Sequence, residues 1–244
     1  MNYLDCETAT AFKDFESCDQ RTKDCWAAKM KGELNLIKER MGFETIDADY
    51  YLPGLYRDKA ALYSEFNKIV CVSLGTVISK DGKQSIYIKS SSGDDEIDIL
   101  KDVAKALEGK YELCAHSGKG FDFPMLSRKY MIYGLPMPSL FNNGGKKPWD
   151  IPLIDTQEMW KFGDLRYTVS LDALAMVFEL PSPKAQMHGS QVSEYYYAGR
   201  LKEIVQYCEL DVATLINVHR KMIGQPIVQE LYSEEPQKQE KLFK

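Results

Sequence analysis

Short runs of β-branched and other apolar residues recur along the chain, and they predict five strands. The runs are residues 2–8, 69–78, 84–89, 112–116 and 153–155. The first run starts apolar, at Tyr3 and Leu4, and becomes polar toward its end. Asp81-Gly82 stands between the second and third runs, which is typical of a tight turn joining two antiparallel strands. The sequence therefore predicts a sheet that contains one hairpin.

Longer segments with spaced apolar positions predict helices between these strands. The predicted helices are residues 20–31, 59–66, 94–107, 123–133, a segment that starts at 155, 170–179, and one or two helices over 192–222. Pro53 and Gly54 are expected to interrupt the first helical region, which spans about residues 10–66. Strands and helices in this order predict an α/β fold, in which helices flank a mixed sheet and a helical insertion follows the first strand.

Length and composition are those of an ordinary globular protein. The chain has 244 residues, of which 44% are hydrophobic and 27% charged, enough for one domain with a substantial core. We expect a single domain over residues 1–232. Residues 233–244, SEEPQKQEKLFK, are polar and are expected to form a flexible tail.

Net charge and the distribution of apolar residues limit the kinds of partner and the cellular location that we expect for the protein. The net charge is −5, whereas proteins that grip long duplex nucleic acid usually carry a basic excess. An enzyme that holds only a few nucleotides remains open. The N-terminus has no basic stretch followed by an apolar run, and residues 69–78 are too short to span a bilayer. A cytoplasmic protein without a membrane partner is therefore expected.

Acidic residues stand in three of the predicted elements. Asp5 and Glu7 are two residues apart in a strand and therefore project from the same face. Asp122 follows a glycine-rich loop at the start of a helix. Tyr207 and Asp211 are four residues apart in a helix and share one face. Each group alone also has a structural explanation: a solvated strand edge, a helix N-cap, or a core tyrosine near a surface aspartate.

Taken together, the four carboxylates suit one kind of chemistry. Mg²⁺ and similar hard cations prefer oxygen ligands. Hydrolysis of a phosphodiester by two such ions needs about four carboxylates, which hold the ions ~3.5–4 Å apart over the attacking and leaving oxygens. A tyrosine hydroxyl close to the attacking water can orient it. The order strand end, loop-to-helix junction and helix matches what this chemistry requires.

The pattern Asp-x-Glu, then Phe-Asp, then Tyr-x-x-x-Asp resembles the three exonuclease motifs of the DEDD superfamily, in its tyrosine-containing branch. The chain is similar to predicted 3′–5′ exonucleases related to the proofreading domain of family-B DNA polymerases. The similarity extends over nearly the whole chain. It includes residues 68–73, 115–124, 145–149, 155–156, 160–164, 170–172, 181–184 and 189–192.

This resemblance implies a ribonuclease H-like fold with a five-stranded mixed sheet. It implies two divalent ions, Mg²⁺ or Mn²⁺, held by four carboxylates: Asp5, Glu7, Asp122 and Asp211. It also implies that Tyr207 sits beside the attacking water. The activity implied is 3′–5′ hydrolysis of single-stranded DNA ends, with release of mononucleotides.

Three further residues are expected to contact the substrate: Thr8, Ser117 and Phe121. Relatives usually have Asn where Ser117 stands, five residues before the motif aspartate, and that Asn contacts the substrate strand. Serine is shorter but can still donate and accept a hydrogen bond, so we expect altered affinity rather than loss of chemistry. Phe121 either stacks on a terminal base or fills the core.

The polar tail carries one more pattern. Gln239, Leu242 and Phe243 resemble the QxxLF pentapeptide with which bacterial replication proteins dock on the sliding clamp. A flexible tail with two apolar anchors suits such a pocket. The alternative is a tail that is simply solvated.

Two other functions remain open at this point. The four acids and the tyrosine do not distinguish DNA from RNA, so a 3′–5′ exoribonuclease is an alternative within the same class. A non-catalytic nucleic-acid-binding subunit with the same fold is an alternative from another class. The complete set of acids argues against the second alternative, because such a cluster is unfavourable without a function.

Overall fold

A computed structural model describes residues 1–110, 112–181 and 187–232. In these ranges the chain forms a six-stranded mixed sheet flanked by helices. The strands are β1 (Asn2–Thr10), β2 (Asn67–Lys80), β3 (Lys83–Ser92), β4 (Leu113–Ala115), β5 (Ile154–Asp155) and β6 (Leu231–Tyr232). The α-helices are α1 (Gln20–Met41), α2 (Ala48–Lys59), α3 (Glu96–Ala106), α4 (Asp122–Ile132), α5 (Thr156–Lys161), α6 (Leu171–Val177), α7 (Val192–Tyr197) and α8 (Leu201–Met222).

The strands lie in the order β5-β4-β1-β2-β3-β6. β1 runs antiparallel to β2 and parallel to β4. β2 and β3 form the predicted hairpin, and its turn residues Asp81 and Gly82 both have positive φ, 51° and 77°, as a tight hairpin turn requires. The α/β class and the five predicted strands are confirmed. The two-residue β6, which pairs with β3, extends the sheet to six strands.

Successive side chains of β1 point to opposite faces of the sheet, and their contacts show which helices cover each face. Leu4 packs against α3 and α4, whereas Tyr3 and Ala9 pack on the side that carries α7 and α8. α8 approaches β2 closely at Gly75, where an added Cβ would lie 2.4 Å from the side chain of Val212. The odd-numbered residues of β1 therefore face α8.

The segment between β1 and β2 is helical, as predicted, but its helices differ from those expected. α1 has 22 residues and is longer than predicted. Pro53 and Gly54 lie inside α2 and do not interrupt it. A proline in a helix removes one hydrogen bond, and here the neighbouring Leu52 and Tyr56 are buried against Trp26. Packing around that indole outweighs the loss.

Residues 59–66 do not form the predicted helix, and a short 3-10 turn at Ala60–Leu62 takes its place. The carbonyl of Ala61 accepts hydrogen bonds from the Thr8 hydroxyl at 2.8 Å and from the Asn67 side-chain amide at 2.7 Å. These two donors occupy the acceptor that a continuing helix would use. The same contacts tie the insertion to the ends of β1 and β2.

The other helices lie close to their predicted positions. The predicted break within residues 192–222 falls at Gly199, between α7 and α8. Across the described ranges, we find no helix with the length and apolar character needed to cross a membrane.

Candidate active site

β1 has a parallel neighbour along only part of its length. Within the described residues, it pairs with β4 through Asn2 and Tyr3 alone. β4 is three residues long, and the chain then enters the loop 116–121 that leads to α4. The first residue of α4 is Asp122, whose carboxylate interacts with the backbone N–H of Cys6. The early end of β4 thus leaves the space beside β1 that the aspartate fills.

Three carboxylates converge on the α8 face of β1. Asp5 and Glu7 belong to β1, and α8 contributes Asp211. One carboxylate oxygen from each of the three lies within 4.8 Å of those from the other two. Ionised carboxylates at such distances repel each other unless protons or a cation neutralise them. The two acids that the sequence placed two residues apart are therefore joined by a third from the far end of the chain.

Asp122 is the fourth acid of the neighbourhood. It is 5% exposed, and its charge acts on the carboxyl of Asp5. It is the first residue of α4, and the N-cap position belongs to Phe121. The capping explanation for this aspartate is therefore wrong, and its carboxylate is directed to the acidic cluster.

Burial and mutual repulsion raise the pKa of three of these acids. The pKa of Asp5 rises to about 7, chiefly through burial and then through the charge of Asp122. Burial also raises the pKa of Asp122 to about 7, although its own backbone N–H and that of Cys6 lower it. Burial, followed by the charges of Asp5 and Asp211, raises the pKa of Glu7 well above its ordinary value. Ionisation of these carboxyl groups is therefore unfavourable unless a cation lies close to them.

One oxygen of the cluster lacks a hydrogen-bond partner among the described residues. This atom, Oδ2 of Asp5, is buried. Leaving a buried acceptor unsatisfied costs about 1–3 kcal/mol, and more when the group is charged. Native proteins rarely retain such an atom unless a water or an ion satisfies it. With a donor set made only of carboxylate oxygens, the arrangement suits a hard cation.

Tyr207 lies one helical turn before Asp211 on α8 and is 7% exposed. Burial, followed by the charges of Asp211 and Glu7, raises its pKa above the ordinary value. The phenol therefore keeps its proton and can donate a hydrogen bond. Gly189 flanks the hydroxyl, because a Cβ added there would lie 3.8 Å from the phenol oxygen.

The loop before Asp122 is held by Asp155, which is also the N-cap of α5. Its Oδ1 accepts the backbone N–H of Ser117 at 2.9 Å, and its Oδ2 accepts that of Lys119 at 3.0 Å. Oδ1 also accepts the N–H of Gln157, which confirms the predicted helix start. The sequence predicted a helix that starts at residue 155 but not the loop contact, because helix-start signals are local whereas Ser117 is 38 residues away.

The three residues expected to contact substrate occupy different environments. Thr8 is 7% exposed, and its hydroxyl donates to the backbone of the insertion. Ser117 has a left-handed backbone with φ 59°, and its hydroxyl accepts a hydrogen bond from Gln157. Phe121 is half-buried beside Asp122. The Thr8 hydroxyl is therefore directed to the insertion, whereas Ser117 and Phe121 belong to the loop that leads to Asp122.

A family model matches about three quarters of the chain. It is described as a predicted 3′–5′ exonuclease related to the exonuclease domain of PolB, and it matches residues 61–243. The matched span includes Asp122, Tyr207 and Asp211, whereas Asp5 and Glu7 precede it. A search of curated proteins gives no match.

One solved structure is similar over most of the chain. It is the family B DNA polymerase of the hyperthermophilic archaeon Pyrobaculum calidifontis, with a TM-score of 0.54 and 14% sequence identity. The similarity covers 91% of this chain and 24% of the polymerase chain. At this identity it concerns the fold, and it confirms the predicted ribonuclease H-like class. Because the family model matches well over half of the sequence, the chain belongs to the family of predicted 3′–5′ exonucleases related to the exonuclease domain of PolB.

Proposed function

We propose that this protein is a metal-dependent 3′–5′ exonuclease that hydrolyses phosphodiester bonds at single-stranded DNA 3′ ends. The observation that carries the proposal is the convergence of Asp5, Glu7 and Asp211 within 4.8 Å. Membership of the family gives the reaction class. The buried acids give a location where that reaction can take place.

Two divalent ions, Mg²⁺ or Mn²⁺, are the proposed cofactors, and four carboxylates would hold them: Asp5, Glu7, Asp122 and Asp211. The unsatisfied Oδ2 of Asp5 and the raised pKa values of Asp5 and Asp122, both about 7, support a cation at this place. A cation lowers the free energy of the ionised carboxylates, which burial otherwise disfavours. When bound, the ions supply charge neutralisation at the phosphate and a more acidic attacking water.

Tyr207 is proposed to orient the attacking water. Its raised pKa keeps the phenol protonated, so the hydroxyl can donate to an oxygen in the site. A hydrogen bond with the side chain of Asp211 contributes to that shift. An aspartate that positions the hydroxyl in this way would limit its freedom before substrate arrives. Tyr207 would then act by orientation rather than by proton transfer, since a phenol with a raised pKa is a poor base at neutral pH.

The proposed partner is the 3′ end of a single strand, bordered by Ser117 and Phe121. DNA is the first choice, and RNA is the alternative, since contacts to the 2′-hydroxyl are what separates the two. A non-catalytic subunit is the other alternative. The unsatisfied buried oxygen of Asp5 weighs against it, because an acid cluster without a cation would only destabilise the fold.

A second proposed partner is a sliding clamp, bound through the tail. Gln239, Leu242 and Phe243 lie outside the described residues, so this proposal rests on the sequence pattern. A peptide of residues 233–244 is titrated against a bacterial clamp, with a Phe243→Ala peptide as the control. Saturable binding that the control loses supports the proposal. Absence of binding at high micromolar peptide contradicts it.

The proposed activity is tested with 5′-labelled single strands of DNA and RNA of one sequence. Wild type is expected to shorten the DNA from its 3′ end in Mg²⁺ or Mn²⁺, and Asp122→Asn is expected to lose this activity because the side chain keeps its size but not its charge. Asp98→Asn, at an exposed position of α3, is the matched control and is expected to behave as wild type. Equal shortening by wild type and Asp122→Asn would refute the assignment of the site.

The same experiment separates the alternatives. Faster shortening of RNA than of DNA points to an exoribonuclease. Binding of either strand without any shortening, in both metals, points to a non-catalytic subunit.

A further inference from the structure

Phe162 is exposed in a way that packing does not explain. Its side chain is 94% exposed, and its backbone is left-handed, with φ 46°, at the C-terminal end of α5. Glycine or asparagine normally occupies such a position, since a left-handed conformation is unfavourable for a bulky residue. A large aromatic side chain held in a strained conformation in solvent indicates a binding role.

Phe162 borders a cleft of about 300 Å³, which we call the aromatic cleft. It is lined by Trp160, Lys161, Phe162, Asp164 and Tyr167. Trp160 makes an edge-to-face contact with Phe178, with ring centroids 5.7 Å apart, so this wall is fixed. Three aromatic rings around a cleft at the small end of ligand-site volumes suit one planar ring system.

The aromatic cleft is connected to the loop that precedes Asp122. The cleft residues lie in the segment 156–169, and His116 contacts both ends of this segment. Its Nδ1 contacts the Thr156 hydroxyl at 2.9 Å, and its Nε2 donates to the Val169 carbonyl at 2.9 Å. Gln157, in the first turn of α5, donates to both Ser117 and Val169. The cleft is therefore held in a fixed position relative to the loop 116–121.

The spacing along α8 between the acids and the cluster behind the cleft suits a short piece of strand. Trp160 packs on the hydrophobic cluster that contains Val218 of α8. Val218 is seven residues beyond Asp211, which corresponds to about 10 Å along a helix. That is the rise of roughly three stacked nucleotides.

We infer that the aromatic cleft binds single-stranded nucleic acid by stacking a base that lies a few nucleotides from the 3′ end. The strand polarity in this statement rests on the proposed function. The binding itself does not, because it depends on the three aromatic rings of the cleft. Stacking on aromatic rings is tolerant of sequence, since every base offers a π-face.

The charges around the cleft favour stacking over phosphate contacts as the source of affinity. Lys161 lines the cleft and is positive, but Asp164 lines it too and is negative, and the whole chain has a net charge of −5. Each phosphate contact to a single strand contributes about −0.7 to the slope of log K against log salt. With Lys161 as the one cation among the lining residues, this surface adds a slope of at most about −0.7.

The test measures binding of fluorescein-labelled oligothymidylates of two and eight nucleotides to the full chain in EDTA. Phe162→Gly removes the aromatic ring. Because glycine adopts a left-handed backbone without strain, the variant is expected to fold at least as stably as wild type. We expect it to bind the octanucleotide about 5-fold or more weakly than wild type and the dinucleotide equally well. Tyr50→Ala, which removes an aromatic ring that is 75% exposed on α2, is the matched control and is expected to bind as wild type.

Salt dependence distinguishes stacking from charge. Phe162→Gly is expected to leave the salt slope of octanucleotide binding unchanged, whereas Lys161→Ala is expected to reduce its magnitude by about 0.7. Parallel titrations with oligouridylates compare RNA with DNA at the same surface.

Three results would overturn the inference. One is an octanucleotide affinity of Phe162→Gly equal to that of wild type, which would assign the cleft to another kind of partner. Another is an equal loss for both lengths, which would trace the effect to the acidic site. The third is a wild type without measurable affinity for the octanucleotide. Because hydrolysis is not measured, a protein that binds through Phe162 but cleaves nothing contradicts the proposed function alone, and an active enzyme indifferent to Phe162→Gly contradicts this inference alone.

Discussion

The carboxylate of Asp155 accepts the backbone N–H of Ser117 at 2.9 Å, so the loop that leads to Asp122 is held by the N-cap residue of α5. The same carboxylate is 4% exposed, and its charge contributes to the raised pKa of Asp122. One buried acid thus holds the loop in place and disfavours ionisation of its neighbour in the site.

Asp155→Asn is expected to destabilise the protein and to reduce nuclease activity. The amide presents one acceptor where the carboxylate has two, so the N–H of either Ser117 or Lys119 loses its partner, at a cost of about 1–3 kcal/mol. Thermal unfolding and the rate of strand shortening are measured together. Asp98→Asn is the exposed control and is expected to change neither. An Asp155→Asn protein as stable and as active as wild type would contradict the role given to this contact.

The stability of the metal-free protein is expected to fall as pH rises from about 4 to about 7. The pKa of Asp5 is about 7 in the folded chain and 3.8 ordinarily, so the folded state holds a proton that the unfolded chain has released in this window. That contribution is complete below the ordinary pKa and is lost as pH rises through the folded value. Adding Mg²⁺ at pH 8 is expected to restore stability.

Urea unfolding in EDTA at pH 5 and pH 8, for wild type and Asp5→Asn, measures how much of the pH dependence comes from Asp5, through its own titration and through its charge on Glu7. The variant is expected to lose less stability between the two pH values, because its amide does not titrate. A wild type that loses no more stability than Asp5→Asn would argue against a protonated carboxyl in the metal-free site.

Tyr207→Phe is expected to slow cleavage by about 10- to 100-fold, as loss of one hydrogen bond to a charged group would do. The ring still fills its place beside α8, so folding should be unaffected. Mn²⁺ affinity, measured by calorimetry, is expected to stay the same because the carboxylates are untouched. An unchanged cleavage rate would remove the hydroxyl from the reaction, and a lost Mn²⁺ affinity would make its role structural.

Ser117→Asn is expected to stabilise the protein by a few tenths of a kcal/mol up to about 1 kcal/mol, because asparagine tolerates a left-handed backbone better than serine does. The φ of 59° at Ser117 gives a physical reason for the asparagine that the family resemblance implies at this position. Ser117→Ala, which loses the hydroxyl that accepts from Gln157, is the control and is expected to be destabilised. Chemical denaturation of the three proteins measures the order, and Ser117→Asn below wild type would contradict the strain argument.

Local signals predicted much of the fold. Asp81-Gly82 indicated the β2–β3 hairpin because the turn type depends on those two residues. Pro53 misled the prediction of α2, because the packing of Leu52 and Tyr56 on Trp26 is not visible in local sequence. β6 has two residues, too few to produce an alternation that could be recognised.

Only part of the site could be predicted from residue spacing. The spacing of Asp5 and Glu7 placed both on one face of a strand, and the four-residue spacing of Tyr207 and Asp211 placed both on one face of a helix. That these two faces meet depends on α8 packing over β1, which the resemblance implied and the pattern alone did not. The hydrogen bonds from the loop 116–121 to Asp155 were not predicted, because nothing in the sequence around Asp155 indicates a partner as distant as Ser117.

The acids of β1, α4 and α8 are proposed to hold divalent ions, and these ions are proposed to be required for the removal of nucleotides from a 3′ end. The most direct measurement follows a 5′-labelled single strand of DNA with wild type and Asp5→Asn, each in Mg²⁺ and in EDTA. We predict a ladder that shortens by single nucleotides for wild type in Mg²⁺, and an intact strand in the other three reactions. Shortening by Asp5→Asn at the wild-type rate, or by wild type in EDTA, would contradict the account.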